Sequence, residues 1–202
     1  VGVDNQVFGP AAGDSSVRVE LGIPHTAKVF LFLGRMVKDM GVDFLTTMAD
    51  HLLALHPESY LIMAGAKGDL SPLVEDLAGR QKRVKYCPDV PHDQKVEMYR
   101  ACDIVLAPTM ERHACMGVSI KEAMLCGKPV IASSSGGIPE AIEDGVSGYV
   151  VPIVNGRVDS DLFLDRSREL VNDPSLLAGM GDRARMRALQ MFTNGQTVEK
   201  YL

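Results

Sequence analysis

The sequence has no tryptophan, and its other large aromatics are few: five tyrosines and six phenylalanines in 202 residues. Since 46% of the residues are hydrophobic, an ordinary core is still within reach, of one large domain or one and a half small ones. No apolar run approaches the roughly 18 residues of a membrane helix, and the start carries no signal-peptide pattern. Neither sign of charge dominates. Lysine and arginine are interspersed with a slight acidic excess, net −5, so no nucleic-acid partner is expected. The short basic cluster Lys82, Arg83 and Lys85 reads as a solvated strand edge. Cysteine is scarce, and Cys87, Cys102, Cys115 and Cys126 lack C-x-x-C spacing. They read as reduced thiols in a cytoplasmic setting, each packing as a small hydrophobe. Histidines 25, 51, 56, 92 and 113 lack ligand spacing, so neither a metal nor another cofactor is expected. Two phosphate-loop signatures are also missing. Cys126-Gly127-Lys128-Pro129 lacks the spacing and hydroxyl of G-x-x-x-x-G-K-[ST], and no G-x-G-x-x-G follows a strand, which disfavours a nicotinamide enzyme. The eleven methionines are scattered as core filler.

What is present is alternation. Residues 1–27 read as an arm with a short helix before Gly22. KVFLFL (28–33) is a continuous apolar run, the pattern of a parallel strand covered on both faces. Further strands are expected at 60–64, 84–87, 103–107, 129–132 and 148–151, the last running into a loop at Pro152. Helices are expected at 41–55, 70–79, 92–101, in the segment after Gly117, and at 160–171 and 174–192. This order implies an α/β fold, a doubly wound and mainly parallel six-stranded Rossmann-like sheet. Ligands of such sheets bind outside the carboxyl ends of the strands. Here that selects Gly34–Arg35, the turn from Gly65 to Gly68, residues 87–90, the loop 108–117 and the turn 133–137.

The stretch 107–140, APTMERHACMGVSIKEAMLCGKPVIASSSGGIPE, is the most informative. Gly117 removes a side chain where the backbone turns into a helix, whose first N–H groups are unpaired and at the positive end of its dipole. That end suits an anion. Glu122 lies four residues past Val118 and on the same face. A carboxylate beside a phosphate would be repelled, but one accepting hydrogen bonds from a vicinal diol, as in a ribose, makes sense. Its alternative is an ion pair with Lys121 or Lys128. Gly136-Gly137 opens a second helix, with Pro139 in its first turn. Two helix starts and a diol acceptor around one strand describe a nucleotide-diphosphate site.

GVSIKEAMLCGKPVIASSSGGIPEAIEDGVSGYVV resembles the donor-binding region of the retaining GT-B glycosyltransferases of family 4, "group 1", whose members read E-x-F-G-[LIV]-x-x-x-E-A-M-A-x-G-x-P-V-[IV]-A-[ST]-x-x-G-G-x-x-E. Gly2-Val3-Asp4 resembles the interdomain linker, and Met191-Phe192 with 198–202 the C-terminal helix. The resemblance covers nearly the whole chain. It implies a linker arm over 1–27 and a donor-binding domain over 28–202, the acceptor-binding half lying in a longer protein. It also implies sugar transfer from a nucleotide-diphosphate sugar with retention of configuration, without a metal. The acceptor would be a glycan, lipid or small molecule, and the full-length protein could associate peripherally with a membrane. The isolated domain would be inactive.

By resemblance, Arg35 and Glu122 are the catalytic residues. Gly34, Arg35, Lys38, Gly65, Cys87, Pro88, Gly117, Val118, Glu122, Gly136 and Gly137 form the donor site, with the base near 86–90. Two departures stand out. G-R-x-x-x-x-K-G is here GRMVKDMG, so Met40 takes the lysine position; Lys38, two residues earlier, could compensate through its long stem, though from a different direction. Counting back eight from Glu122 reaches Ala114 where the family has an acid, leaving Glu111 and His113 as candidate sugar contacts. These departures keep a second expectation open, a nucleotide-sugar-binding module or degenerate enzyme with little transfer activity.

Overall fold

The computed structural model describes residues 2–10, 15–111 and 117–193. Six strands, β1 (Lys28–Leu33), β2 (Ser59–Gly65), β3 (Val84–Pro88), β4 (Ile104–Ala107), β5 (Val130–Ser133) and β6 (Gly148–Val151), form one sheet in the order β3-β2-β1-β4-β5-β6. Every neighbouring pair is parallel. The helices are α1 (Ser16–Glu20), α2 (Val42–Ala54), α3 (Ser71–Arg80), α4 (Lys95–Ala101), α5 (Val118–Leu125), α6 (Ile138–Ala141), α7 (Ser160–Asn172) and α8 (Pro174–Met191).

The apolar runs make this arrangement. All of β1 after Lys28 is buried. Val29, Leu31 and Leu33 pack with α1, α4, α5 and α6, while Phe30 and Phe32 pack with α2, α3 and α7. Each such side chain contributes about 1.5–3 kcal/mol on burial, against the entropy of ordering the chain. In α2, Val42, Leu45, Met48, Ala49, Leu52 and Leu53 are buried, the spacing of one helical face. Asp159 caps α7 by accepting from the Leu162 N–H at 3.1 Å, and Asp173 caps α8 through Ser175 and Leu176, with Pro174 in the first turn.

The arm is part of the core. Val3, Phe8, Val17 and Ile23 are buried on the α4/α5 face, and the Val3 N–H donates to the Phe192 carbonyl at 2.8 Å. Arg18 clips the arm down, donating to the carbonyls of Ala101 and Ala27 and pairing with Asp103 at 3.0 Å.

Three local expectations are corrected. Residues 92–94 form a separate 3-10 turn before α4. The loop expected after Pro152 is a hairpin of β7 (Ile153–Val154) and β8 (Arg157–Val158), with Asn155 and Gly156 both at positive φ. Arg83 is no solvated edge residue: its guanidinium donates to the carbonyls of Leu53 and Pro57 at 2.9 and 3.0 Å, tying the end of α2 to β3. Of the cysteines, Cys102 and Cys126 are buried and Cys87 is partly buried, all three as free thiols; Cys115 lies outside the described residues.

The order reverses between β1 and β4, which lie side by side while their following helices go to opposite faces. That reversal leaves a crevice at the carboxyl ends of these two strands.

Candidate functional site

A cleft of about 360 Å³ occupies that crevice. Its floor is the end of β1, Leu33, Gly34 and Arg35, and the end of β4, Leu106 and Ala107. One wall is Met40, Thr109 and Glu111; the other is Lys95 at the start of α4 and Gly117 to Ile120 at the start of α5, with Ile138 behind.

The loops around the cleft are stitched together by short-range bonds. The Asp39 carbonyl, after β1, accepts from the Thr109 hydroxyl at 2.8 Å and the Met110 N–H at 2.7 Å, after β4. Ser133, ending β5, donates to the Thr109 carbonyl, and Ser135 donates to the Glu111 carbonyl at 2.8 Å. Gly65 serves this packing and not the cleft. A Cβ there would lie 2.2 Å from the Gly34 carbonyl oxygen, so only glycine lets the β1 and β2 ends approach.

Gly117 is the second glycine with a conformational reason, at φ 51 immediately before α5. Among the described residues no side chain caps this helix, so its first N–H groups are left toward the cleft. Glu122, one turn along, is 2% exposed and does not line the cleft. Its Oε2 accepts a 2.8 Å hydrogen bond from the Tyr99 hydroxyl of α4. Burial, and then the charge of Glu122, hold the Tyr99 phenol well above its usual range, so it is a neutral donor at any ordinary pH.

Of the residues selected from the sequence, Gly34, Arg35, Glu111, Gly117 and Val118 come together in the cleft. Lys38 is exposed in the 3-10 turn 38–40 and does not line it. Cys87 and Pro88 lie on the edge strand β3, two strands from β1, and neither they nor Gly65 line it. The Gly136-Gly137 turn opens a helix of a single turn, α6, of which Ile138 reaches the cleft. His113 and Ala114 lie outside the described residues. Met40, the departure noted at the lysine position, is a wall residue: its methyl lies 3.1 Å from where a Gly34 Cβ would be. Sequence reasoning missed Lys95. The rule that picked out the strand ends also picks out the helix starts that follow them, and Lys95 is the first residue of α4.

A second hollow of about 390 Å³ lies at the opposite, amino end of the sheet, lined by Arg18, Lys28, Arg100, Asp103 and Lys128 among others. Much of its lining is already bonded together: Arg18 holds three carbonyls and Asp103, and Lys128 donates to the Cys102 carbonyl at 2.7 Å. It reads as the clip that seats the arm. No group of three metal-ligating side chains, and no helix long and apolar enough to cross a membrane, occurs among the described residues.

Comparison with known proteins places the whole arrangement. The profile of the family described as "Glycosyl transferases group 1" matches residues 14–187. A D-inositol 3-phosphate glycosyltransferase 1 of Catenulispora acidiphila is 35% identical over 192 residues, covering 89% of this chain and 44% of that protein. The chain thus spans about half the length of the curated relatives it matches. Anabaena Alr3699/HepE, solved in complex with UDP-glucose, has a TM-score of 0.82 at 25% identity, covering 99% of this chain and 55% of that one. The C-terminal domain of LpcC from Francisella tularensis shares the fold, with a TM-score of 0.79 at 24% identity over 96% of this chain and 100% of that one. A switch-point cleft with an uncapped helix start, in a chain that matches along most of its length, leaves one assignment: the chain belongs to the group 1 glycosyl transferases and corresponds to the C-terminal domain of the GT-B enzymes of that family.

Proposed function

We propose that the chain is the donor-binding half of a retaining sugar transferase, holding a nucleotide-diphosphate sugar while an N-terminal half presents the acceptor. The observation that carries this is the cleft at the β1/β4 switch point, where Gly34-Arg35 faces the uncapped start of α5. The Arg35 side chain is exposed and makes no hydrogen bond or ion pair among the described residues, so its guanidinium is available to the diphosphate. The N–H groups after Gly117 supply neutral donors to the same charge, and the single turn of α6 after Gly137 adds fewer. Together they stabilise the leaving diphosphate as the glycosidic bond to the donor breaks, and no metal is invoked. The Glu122 carboxylate, held by Tyr99 through one oxygen and 2% exposed, does not line the cleft; in this reading its other oxygen accepts from the ribose diol where the bound donor reaches past the start of α5. The base extends over the ends of β2 and β3, toward Gly65, Cys87 and Pro88. Of the two candidate sugar contacts, Glu111 lines the cleft, which supports its meeting the sugar in this reading. The three described thiols, all free of disulfides, suit a cytoplasmic setting.

Titration with UDP, GDP and ADP tests this reading. One of the three is expected to bind and to raise the melting temperature, by the equivalent of roughly 2.7 kcal/mol at 100 times its Kd. Chelation with EDTA should leave that binding unchanged. A second reading rests on Met40, which puts a methyl group where the cleft wall could carry a cation. In it the site binds nucleotide sugar and transfers it slowly or not at all. Turnover of a bound nucleotide sugar by the protein with its acceptor half separates the two.

A further inference from the structure

Lys95 is the first residue of α4 and lines the cleft from the wall opposite Met40. It is partly buried, and no hydrogen bond or ion pair holds its ammonium among the described residues. That position is locally unfavourable twice over. A cation in the first turn of a helix opposes the dipole, and a partly desolvated charge without a counter-ion is destabilising. Arg35, also without a partner, lines the same cleft, and the carboxylate of Glu111 pairs with neither. Two unpaired cations around one small crevice repel one another until an anion sits between them.

The placement of Lys95 is also fixed. Tyr99 follows it by four residues and so stands on the same face of α4, one turn deeper. Val118 and Glu122 hold the matching positions on α5. The buried Tyr99–Glu122 hydrogen bond therefore locks the inner turn of the α4/α5 seam, and the outer turn carries Lys95 beside the uncapped α5 start.

Building on the donor-site reading above, we infer that Lys95 is a diphosphate-binding residue, the cation that closes the site from the α4 side while Arg35 closes it from β1. Its ligand is the pyrophosphate portion of the donor and not the base. Lys95 is placed for binding and takes no part in the Tyr99–Glu122 bond.

The test measures affinity of the chain for UDP, GDP and ADP, and for inorganic pyrophosphate, with Lys95→Met and Lys95→Arg beside the unsubstituted protein. Lys95→Met is expected to lose about tenfold in affinity for the nucleotide that binds, and similarly for pyrophosphate, while Lys95→Arg stays within about threefold. Without ligand the melting temperature should stay level in Lys95→Arg and rise slightly in Lys95→Met, which removes the unfavourable charge. Equal affinity in Lys95→Met would overturn the assignment, as would a loss for the nucleotide that pyrophosphate does not share. If the unsubstituted chain binds none of the three diphosphates, the donor-site reading fails and takes this one with it. If it binds one with indifference to residue 95, this assignment alone fails.

Discussion

The hydroxyl of Tyr99 donates to Oε2 of Glu122 across 2.8 Å, and both side chains are buried between α4 and α5. This bond joins the core to the cleft, since the residues one turn outward on the two helices, Lys95 and Val118, are cleft walls. Tyr99→Phe should fold but lose about 1–3 kcal/mol at neutral pH, because a buried carboxylate is left short of a donor. The pH dependence follows from the raised phenol. The unfolded chain ionises Tyr99 near 10, whereas the folded chain keeps it protonated. The folded state then binds more protons, so stability falls as pH rises through and beyond that range. Urea titrations should show the gap between the two proteins narrowing above about pH 10; a constant gap would contradict the buried neutral phenol.

Glu122→Gln keeps an acceptor for Tyr99 but removes the charge. It is expected to retain most of the stability and to bind nucleotide more weakly, while Glu122→Ala loses both. A charged acceptor to hydroxyls contributes roughly 1.5–3 kcal/mol. Affinity and melting temperature measured on the same samples separate the two roles. Nucleotide affinity unchanged in a folded Glu122→Ala protein would leave Glu122 as a purely structural partner of Tyr99.

Much of the fold is legible in the sequence because a parallel strand covered on both faces needs no alternation. KVFLFL and Gly148–Val151 show their bounds directly. The short hairpin at Asn155-Gly156 carried a turn signal, but two-residue strands are too brief to display a period. The site was legible where a glycine must sit, at Gly34 and Gly117, and less so where a side chain's direction decides. Val118 and Glu122 share a helix face, yet the partner of Glu122 comes from α4, and periodicity does not say which helix lies alongside. Lys38 and Met40 are two residues apart in a tight turn, and only its geometry shows that Met40 faces the cleft and Lys38 solvent.

That geometry gives a gain-of-function expectation. Met40→Lys would place an ammonium on the wall beside Arg35, so diphosphate affinity should rise several-fold, with a steeper dependence on salt. A Lys38→Ala protein should bind within about twofold of the parent. Calorimetric titration at two ionic strengths checks both; a large loss in Lys38→Ala would show that the exposed turn closes onto the ligand.

Thiol chemistry offers an independent check on the packing. Burial pushes Cys102 and Cys126 up to about 12, and raises Cys87 less. At pH 8 about one in ten thousand of the two buried thiols is thiolate, so neither should react with a disulfide reagent in the native protein. In a Cys115→Ser background, Cys87 should label first and the other two only on unfolding. Rapid native labelling of Cys102 would contradict the seam between the arm and α4.

The central claim is that the β1/β4 cleft binds a nucleotide diphosphate mainly through Arg35. Its most direct test is the affinity of Arg35→Ala for whichever of UDP, GDP and ADP binds the unsubstituted chain, with the matching nucleotide sugar measured beside it. The expected result is a loss of tenfold or more for Arg35→Ala, about 1.4 kcal/mol or above, with the sugar adding less than tenfold to the affinity of the bare diphosphate in the unsubstituted chain. Nucleotide binding that is unaffected by loss of Arg35 would place the site elsewhere on the fold.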